Sequence, residues 1–102
     1  MVFRRRRFAD VVERQLDLFA EERAGLIADA EAALRAYDAA ERDEAEERYG
    51  DYLDLVDTGQ DELFEIREAY ASTLDEETAE AYRAAFNERV RKRLPRFGLE
   101  LD

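Results

Sequence analysis

The side chains that could do chemistry in this 102-residue chain are almost all carboxylates and arginines. There are 27 acidic and 16 basic residues, and neither histidine nor cysteine occurs. Without imidazole or thiol, the usual zinc ligand sets, a disulfide framework and thiol nucleophiles are excluded. A hydroxyl nucleophile needs an activating base beside it, and Ser72, the only serine, reads as a helix-end residue. A di-iron carboxylate bundle takes a Glu-x-x-His motif from each of two helices, which this chain does not contain. Asp51, Asp54 and Asp57 lie one helical turn apart, as weak divalent-cation contacts could, but without calcium-loop spacing. The four glycines form no phosphate-binding loop. The expectation is a protein that is not an enzyme, with no cofactor, no metal and no small-molecule substrate.

The arginines are the more suggestive set. Arg4, Arg5, Arg6 and Arg7 open the chain, and Arg89, Arg91, Lys92 and Arg93, with Arg96, lie near its end. Residues 8–88 between them hold seven basic residues against 25 acids, a net −18. A nucleic-acid site is disfavoured, because the chain as a whole repels phosphate and no aromatic platform or recognition-helix motif accompanies the arginines. An anionic membrane surface is a second reading, with Phe3 and Phe8 as wedges around the first cluster. The bland reading, internal neutralisation, is the expectation. It pairs Arg4 to Arg7 with Asp75, Glu76 and Glu77, and sets Arg89 to Arg93 level with Glu21, Glu22, Asp51, Asp54 and Asp57. Exposed pairs of this kind contribute only about 0–1 kcal/mol each.

The elements that must position these groups are helices. From about 8 to 39 the stripe Val12, Leu16, Phe19, Arg23, Leu26, Ala30, Ala33, Tyr37 steps alternately by four and three, as in a helix packed lengthwise on another. A second stripe, Ala45, Tyr49, Tyr52, Val56, Gly59, Leu63, Ile66, Tyr70, predicts a helix over about 42–71. Asp57, Thr58 and Gly59 allow a kink at 57–61, since glycine in a helix interior costs about 1 kcal/mol. Asp75 is a good N-cap, with Glu76 and Glu77 in the first turn. It starts a third helix over about 76–94 that carries Ala79, Tyr82, Phe86, Val90 and Leu94 on one face and stops before Pro95. Residues 1–7 form a basic lead-in. Residues 95–102, with Phe97, Leu99 and Leu101, form an extended tail.

The string Tyr-Asp-Ala-Ala-Glu-Arg-Asp-Glu-Ala-Glu-Glu-Arg-Tyr at 37–49 resembles the inter-helix turn of a tetratricopeptide repeat. No second copy follows at a 34-residue period, so an array is unsupported. A turn near 39–42 folds the first two helices into a long antiparallel hairpin. Folding back around position 40 pairs Leu26 with Val56, Phe19 with Leu63, Leu16 with Ile66 and Val12 with Tyr70. It also places the seam arginine, Arg23, opposite Gly59, its guanidinium reaching out to Asp57, Asp61 or Glu62. The third helix lies on the lower half of this all-α hairpin and covers Val11 and Leu18.

The upper half then has two helices and no third. Ile27, Leu34, Tyr37, Tyr49, Tyr52, Leu53 and Leu55 exceed what its seam uses, and apolar patches of this sort mark contact sites. The expected function is a small acidic interaction or scaffold module, a single domain over 1–102, self-associating as a homodimer through that upper half. The alternatives are the membrane adaptor above and an acidic regulator that occupies a basic, nucleic-acid-binding partner. No apolar run approaches the roughly 20 residues that span a bilayer, and no signal-peptide pattern is present. The cytoplasm is the expected location.

Overall fold

The computed structural model describes residues 7–98. Those residues form four α-helices and no strand. They are α1 (Ala9–Glu22), α2 (Ala24–Asp38), α3 (Ala45–Ala71) and α4 (Glu76–Arg93), followed by a 3-10 turn at Pro95–Phe97.

The single helix expected over 8–39 is therefore two. Arg23 separates α1 from α2 at φ −115° and ψ 29°, off the helical basin. Arg23 N still donates to Phe19 O at 2.8 Å, and Ile27 N to Arg23 O at 3.0 Å, so the break is a local unwinding and not a turn. α3 starts at Ala45 and runs as one helix through Gly59 to Ala71. α4 begins where the cap chemistry requires. Asp75 is extended, and its carboxylate accepts from Thr78 N and from Thr78 Oγ1, both at 2.9 Å. The Thr78 N–H bond holds the Asp75 carboxyl below its ordinary value, with the Arg7 charge adding to the effect.

The core lies where α4 packs against α1 and α3. Val12, Leu16 and Phe19 of α1, Leu63 and Ala71 of α3, and Ala79, Tyr82, Phe86 and Val90 of α4 are buried together. Tyr82 is its hub, with ring centroids 4.7 Å from Tyr70, 5.6 Å from Phe8 and 6.0 Å from Phe86. Its hydroxyl donates to Gln15 Oε1 at 2.8 Å. α4 lies over the side of α1 that carries Glu13 and Asp17. Leu18, expected beneath the third helix, faces away instead and is 54% exposed.

The tail is not extended where it is described. The residue before proline is pushed off the helix, so Leu94 leaves α4 and Pro95–Phe97 turn back inward. Phe97 is buried edge-on to Phe19, with centroids 6.3 Å apart, and its ring lies against Gly59 where a β-carbon would overlap it. Gln60 Nε2 donates to Gly98 O at 3.0 Å and holds the turn in place. Leu99 and Leu101 lie outside the described residues.

Phe97, not Arg23, therefore fills the space beside Gly59. Arg23 Nε lies 2.9 Å from Glu62 Oε1, and the Tyr37 and Tyr49 rings are 5.0 Å apart. A fold-back around position 40 puts Arg23 opposite Gly59 and Tyr37 opposite Ala45. Both observed contacts fall about one turn further along α3. The molecule measures 50 × 26 × 23 Å. Its radius of gyration of 15.7 Å exceeds the roughly 13 Å of a compact chain this long.

Candidate interaction surface

α4 finds its neighbours in α1 and α3, whereas the main neighbour of α2 is α3 alone. α2 and the first part of α3 thus form an arm that no third helix among the described residues covers. Residues 26–55 of this arm hold ten acids against three arginines, a net −7. Charge on the outer faces keeps the arm hydrated, but it does not cover the apolar residues between them.

Those residues fall on two sides. Gln60 touches the tail at Gly98, and Leu53 lies seven positions before it, two helical turns away on the same side. Glu62 faces Arg23, and Leu55, seven positions before Glu62, belongs to that other side. The upper-half candidates are therefore not one patch. On the tail side, Leu53 is 38% exposed and Tyr49 44% exposed. Tyr37, Tyr52, Ile27 and Leu34 are half-buried. The three tyrosine rings lie side by side at tilted angles, Tyr49 lying 6.2 Å from Tyr52 by ring centroid. At the root of the arm, Ile27, Glu31 and Tyr52 line a cleft of about 390 Å³ with Arg93, Leu94, Pro95, Arg96 and Phe97.

The second basic cluster is largely engaged within the fold. Arg89 binds Glu13 in a fork, at 2.6 and 3.2 Å, and Arg93 reaches Asp17 at 2.6 Å. Lys92 Nζ lies 3.5 Å from Glu88 of its own helix. The partners expected from the sequence, Glu21, Glu22, Asp51, Asp54 and Asp57, are not the ones used, because α4 sits lower on α1. The Arg89 fork holds the Glu13 carboxyl below its ordinary value. Arg91 also has an interaction in the fold. Of the first cluster, Arg4, Arg5 and Arg6 lie outside the described residues. The Arg7 guanidinium stands 5.5 Å over the Phe8 ring. Phe8 itself is buried against Tyr82, so it is not a membrane wedge.

Sequence reasoning missed one polar group at the α3–α4 contact. Asn87 is fully buried and Arg67 is only 6% exposed. Arg67 Nη1 donates to Asn87 Oδ1 at 3.0 Å, and its Nε donates to Glu68 Oε2 at 2.8 Å. Arg83 forks onto the same Glu68 carboxylate at 2.9 and 3.0 Å, and this fork is the main cause that lowers the Glu68 carboxyl. The spacing of Asn87 one residue after Phe86 and three before Val90 was the available signal, since it falls inside the apolar face of α4.

Among the described residues no three His, Cys, Asp or Glu side chains converge to hold a metal ion, Asp51, Asp54 and Asp57 included. No described helix is long and apolar enough to cross a membrane. The chain matches no known protein family, no curated protein and no solved structure.

Proposed function

We propose that this chain is a helical hairpin with a third helix on its lower half, working as a small non-catalytic interaction module through its open arm. The observation that carries this reading is the contrast between base and arm. The base buries one apolar face under α4 and exposes only the scattered Leu18 and Phe64 on its outer sides, while the arm leaves Tyr49 and Leu53 exposed beside the half-buried Leu34 and Tyr37. Nothing among the described residues packs over Tyr49 and Leu53, and exposed apolar residues grouped in this way suit a contact surface.

A two-fold homodimer, expected from the sequence, would use the same face. Two arms of net −7 each would then meet, and like charge opposes them until salt screens it. A partner of opposite charge meets no such opposition.

The test is the double variant Leu34→Glu with Leu53→Glu. It should leave the thermal midpoint of the isolated chain within the range of surface substitutions. It should also abolish the crosslinks that a photoreactive residue at position 49 forms in cells. A loss above about 2 kcal/mol, the size of a core effect, would place these leucines in the chain's own core and sink the proposal. Absence of any crosslink from the wild-type arm would do the same. Light scattering across salt concentrations separates self-association from a distinct partner.

A further inference from the structure

The base of the molecule shows how this chain holds a helix. α4 lays Tyr82, Phe86 and Val90 into the groove between α1 and α3. Arginines on both sides of that stripe are then clamped by acids on both lips. Arg89 and Arg93 go to Glu13 and Asp17 on the α1 lip, and Arg83 goes to Glu68 on the α3 lip.

The arm repeats both lips without the helix. Stepping back from Glu68 by two helical turns at a time gives Asp61, Asp54 and Glu47 along the same side of α3. On α2, Glu31 borders the root cleft beside Ile27, and Asp38 follows two turns later. Between the lips lie Ile27 and Leu34 of α2 and Leu53 and Tyr49 of α3, the half-buried and exposed residues described above. The sites that clamp arginine at the base thus have counterparts on the arm with no helix above them among the described residues. α4 cannot reach them, because it ends at Arg93 at the arm's root.

We propose that the open face of the arm is a seat for a basic amphipathic helix of a partner protein, held as α4 is held on the base. This rests on the reading of the chain as an interaction module and names the partner's chemistry. The partner helix carries an apolar stripe at i, i+3, i+4 and i+7 spacing, with arginine or lysine on either side of it. A second copy of this chain offers no such helix with its base intact, because the arginines beside the stripe of α4 are already engaged.

The experiment uses the full chain and three labelled peptides of about five helical turns. The first keeps the Tyr, Phe, Val, Leu stripe of α4 with arginine and glutamine elsewhere. The second has the same stripe with glutamate and glutamine. The third has the composition of the first with the stripe scrambled. Binding is read by anisotropy and located by amide chemical shifts.

The first peptide should bind saturably, shift the amides around Leu34, Tyr49 and Leu53, and weaken as salt rises. Glu47→Lys with Asp54→Lys should weaken it at least tenfold. Preferential binding of the acidic peptide at the same amides overturns the charge assignment and leaves the interaction module standing. Equal binding of the scrambled peptide overturns the helix, and shifts centred on Phe86 and Val90 overturn the seat on the arm, because the peptide has then replaced α4. No binding by the first peptide overturns the proposal, while crosslinking at position 49 still reports on the module independently.

Discussion

At the scale of single residues, the polar groups sealed against α4 set two predictions. Burial pushes the Tyr82 hydroxyl up to about 12 against an ordinary value of 10.0. A group whose folded value is raised contributes stability that is complete below its unfolded value and lost as pH rises through the folded one. The fold should therefore weaken between about pH 10 and 12. Ultraviolet titration should show a late tyrosinate step accompanying unfolding, and Tyr82→Phe should remove it. Asn87 sets the second. Its Oδ1 is the buried acceptor for Arg67, and its own Nδ2 has no partner among the described residues. Asn87→Ala strips a hydrogen bond from a nearly buried cation and should cost about 2 kcal/mol in urea unfolding, the scale of a bond to a charged group. Arg67→Leu combined with Asn87→Leu should recover most of that loss, since replacing a buried polar pair by hydrophobes is often neutral or better. A double variant no more stable than Asn87→Ala would show that the pair contributes through something other than mutual satisfaction. The apolar neighbours of Asn87 are legible in the spacing of α4, but the arginine twenty positions away is not. Pairings of that kind depend on how two helices are rotated, which periodicity leaves open.

At the scale of elements, legibility followed the strength of local signals. The Asp75 cap fixed the start of α4 to the residue, and Pro95 fixed its end within one. The helix break at Arg23 has no such signal. The four-three spacing continues through Arg23 and implies one helix, the charge at that position reading as a long side chain reaching out of the seam, and a local unwinding keeps the stripe nearly in phase while the backbone departs. The tail was misread for a related reason. Alternating Phe97, Leu99 and Leu101 read as extended, but Gly59, far earlier in the chain, provides the space that draws Phe97 inward. That account makes opposite predictions for two glycines in the same helix. At Gly59 a β-carbon meets the Phe97 ring, so Gly59→Ala should lower the thermal midpoint, although alanine is the better helix former. At Gly50 nothing lies within 4 Å of an added β-carbon, so Gly50→Ala should raise stability by up to about 1 kcal/mol from propensity alone. Equal shifts in both variants would show that Phe97 is not held against α3. The dependence on α4 is stronger still. Tyr82, Phe86 and Val90 are fully buried, and each side chain of this size contributes roughly 1.5–3 kcal/mol, against a net stability of about 5–15 kcal/mol. A chain ending at Thr73 should lose its cooperative melt, whereas a sharp transition near the full-length temperature would mean that α1, α2 and α3 form a core without it.

At the scale of the whole molecule, the uneven cover predicts uneven stability. Local opening costs most where buried apolar contacts are dense and least where a helix has one neighbour. The base holds the aromatic cluster around Tyr82 and forked arginine clamps on both sides of α4. The arm holds two helices with half-exposed residues along the seam and a net charge of −7 that repels itself. Hydrogen exchange on the free chain should therefore separate two classes of helical amide. Those of residues 12–19, 63–71 and 79–90 should exchange only through global unfolding, with a strong dependence on denaturant. Those of 28–36 and 46–54 should exchange faster, through smaller openings with little denaturant dependence. Added salt should protect the arm more than the base, because screening relieves repulsion in the arm while it weakens the exposed part of the clamps. The same measurement bears on what the arm is for. A helix seated on it would supply the missing third neighbour, and arm amides should then approach the protection of the base with little change in the base itself. Uniform protection across both regions of the free chain would show that two helices suffice to close the arm, and the physical case for an open seat would go with it.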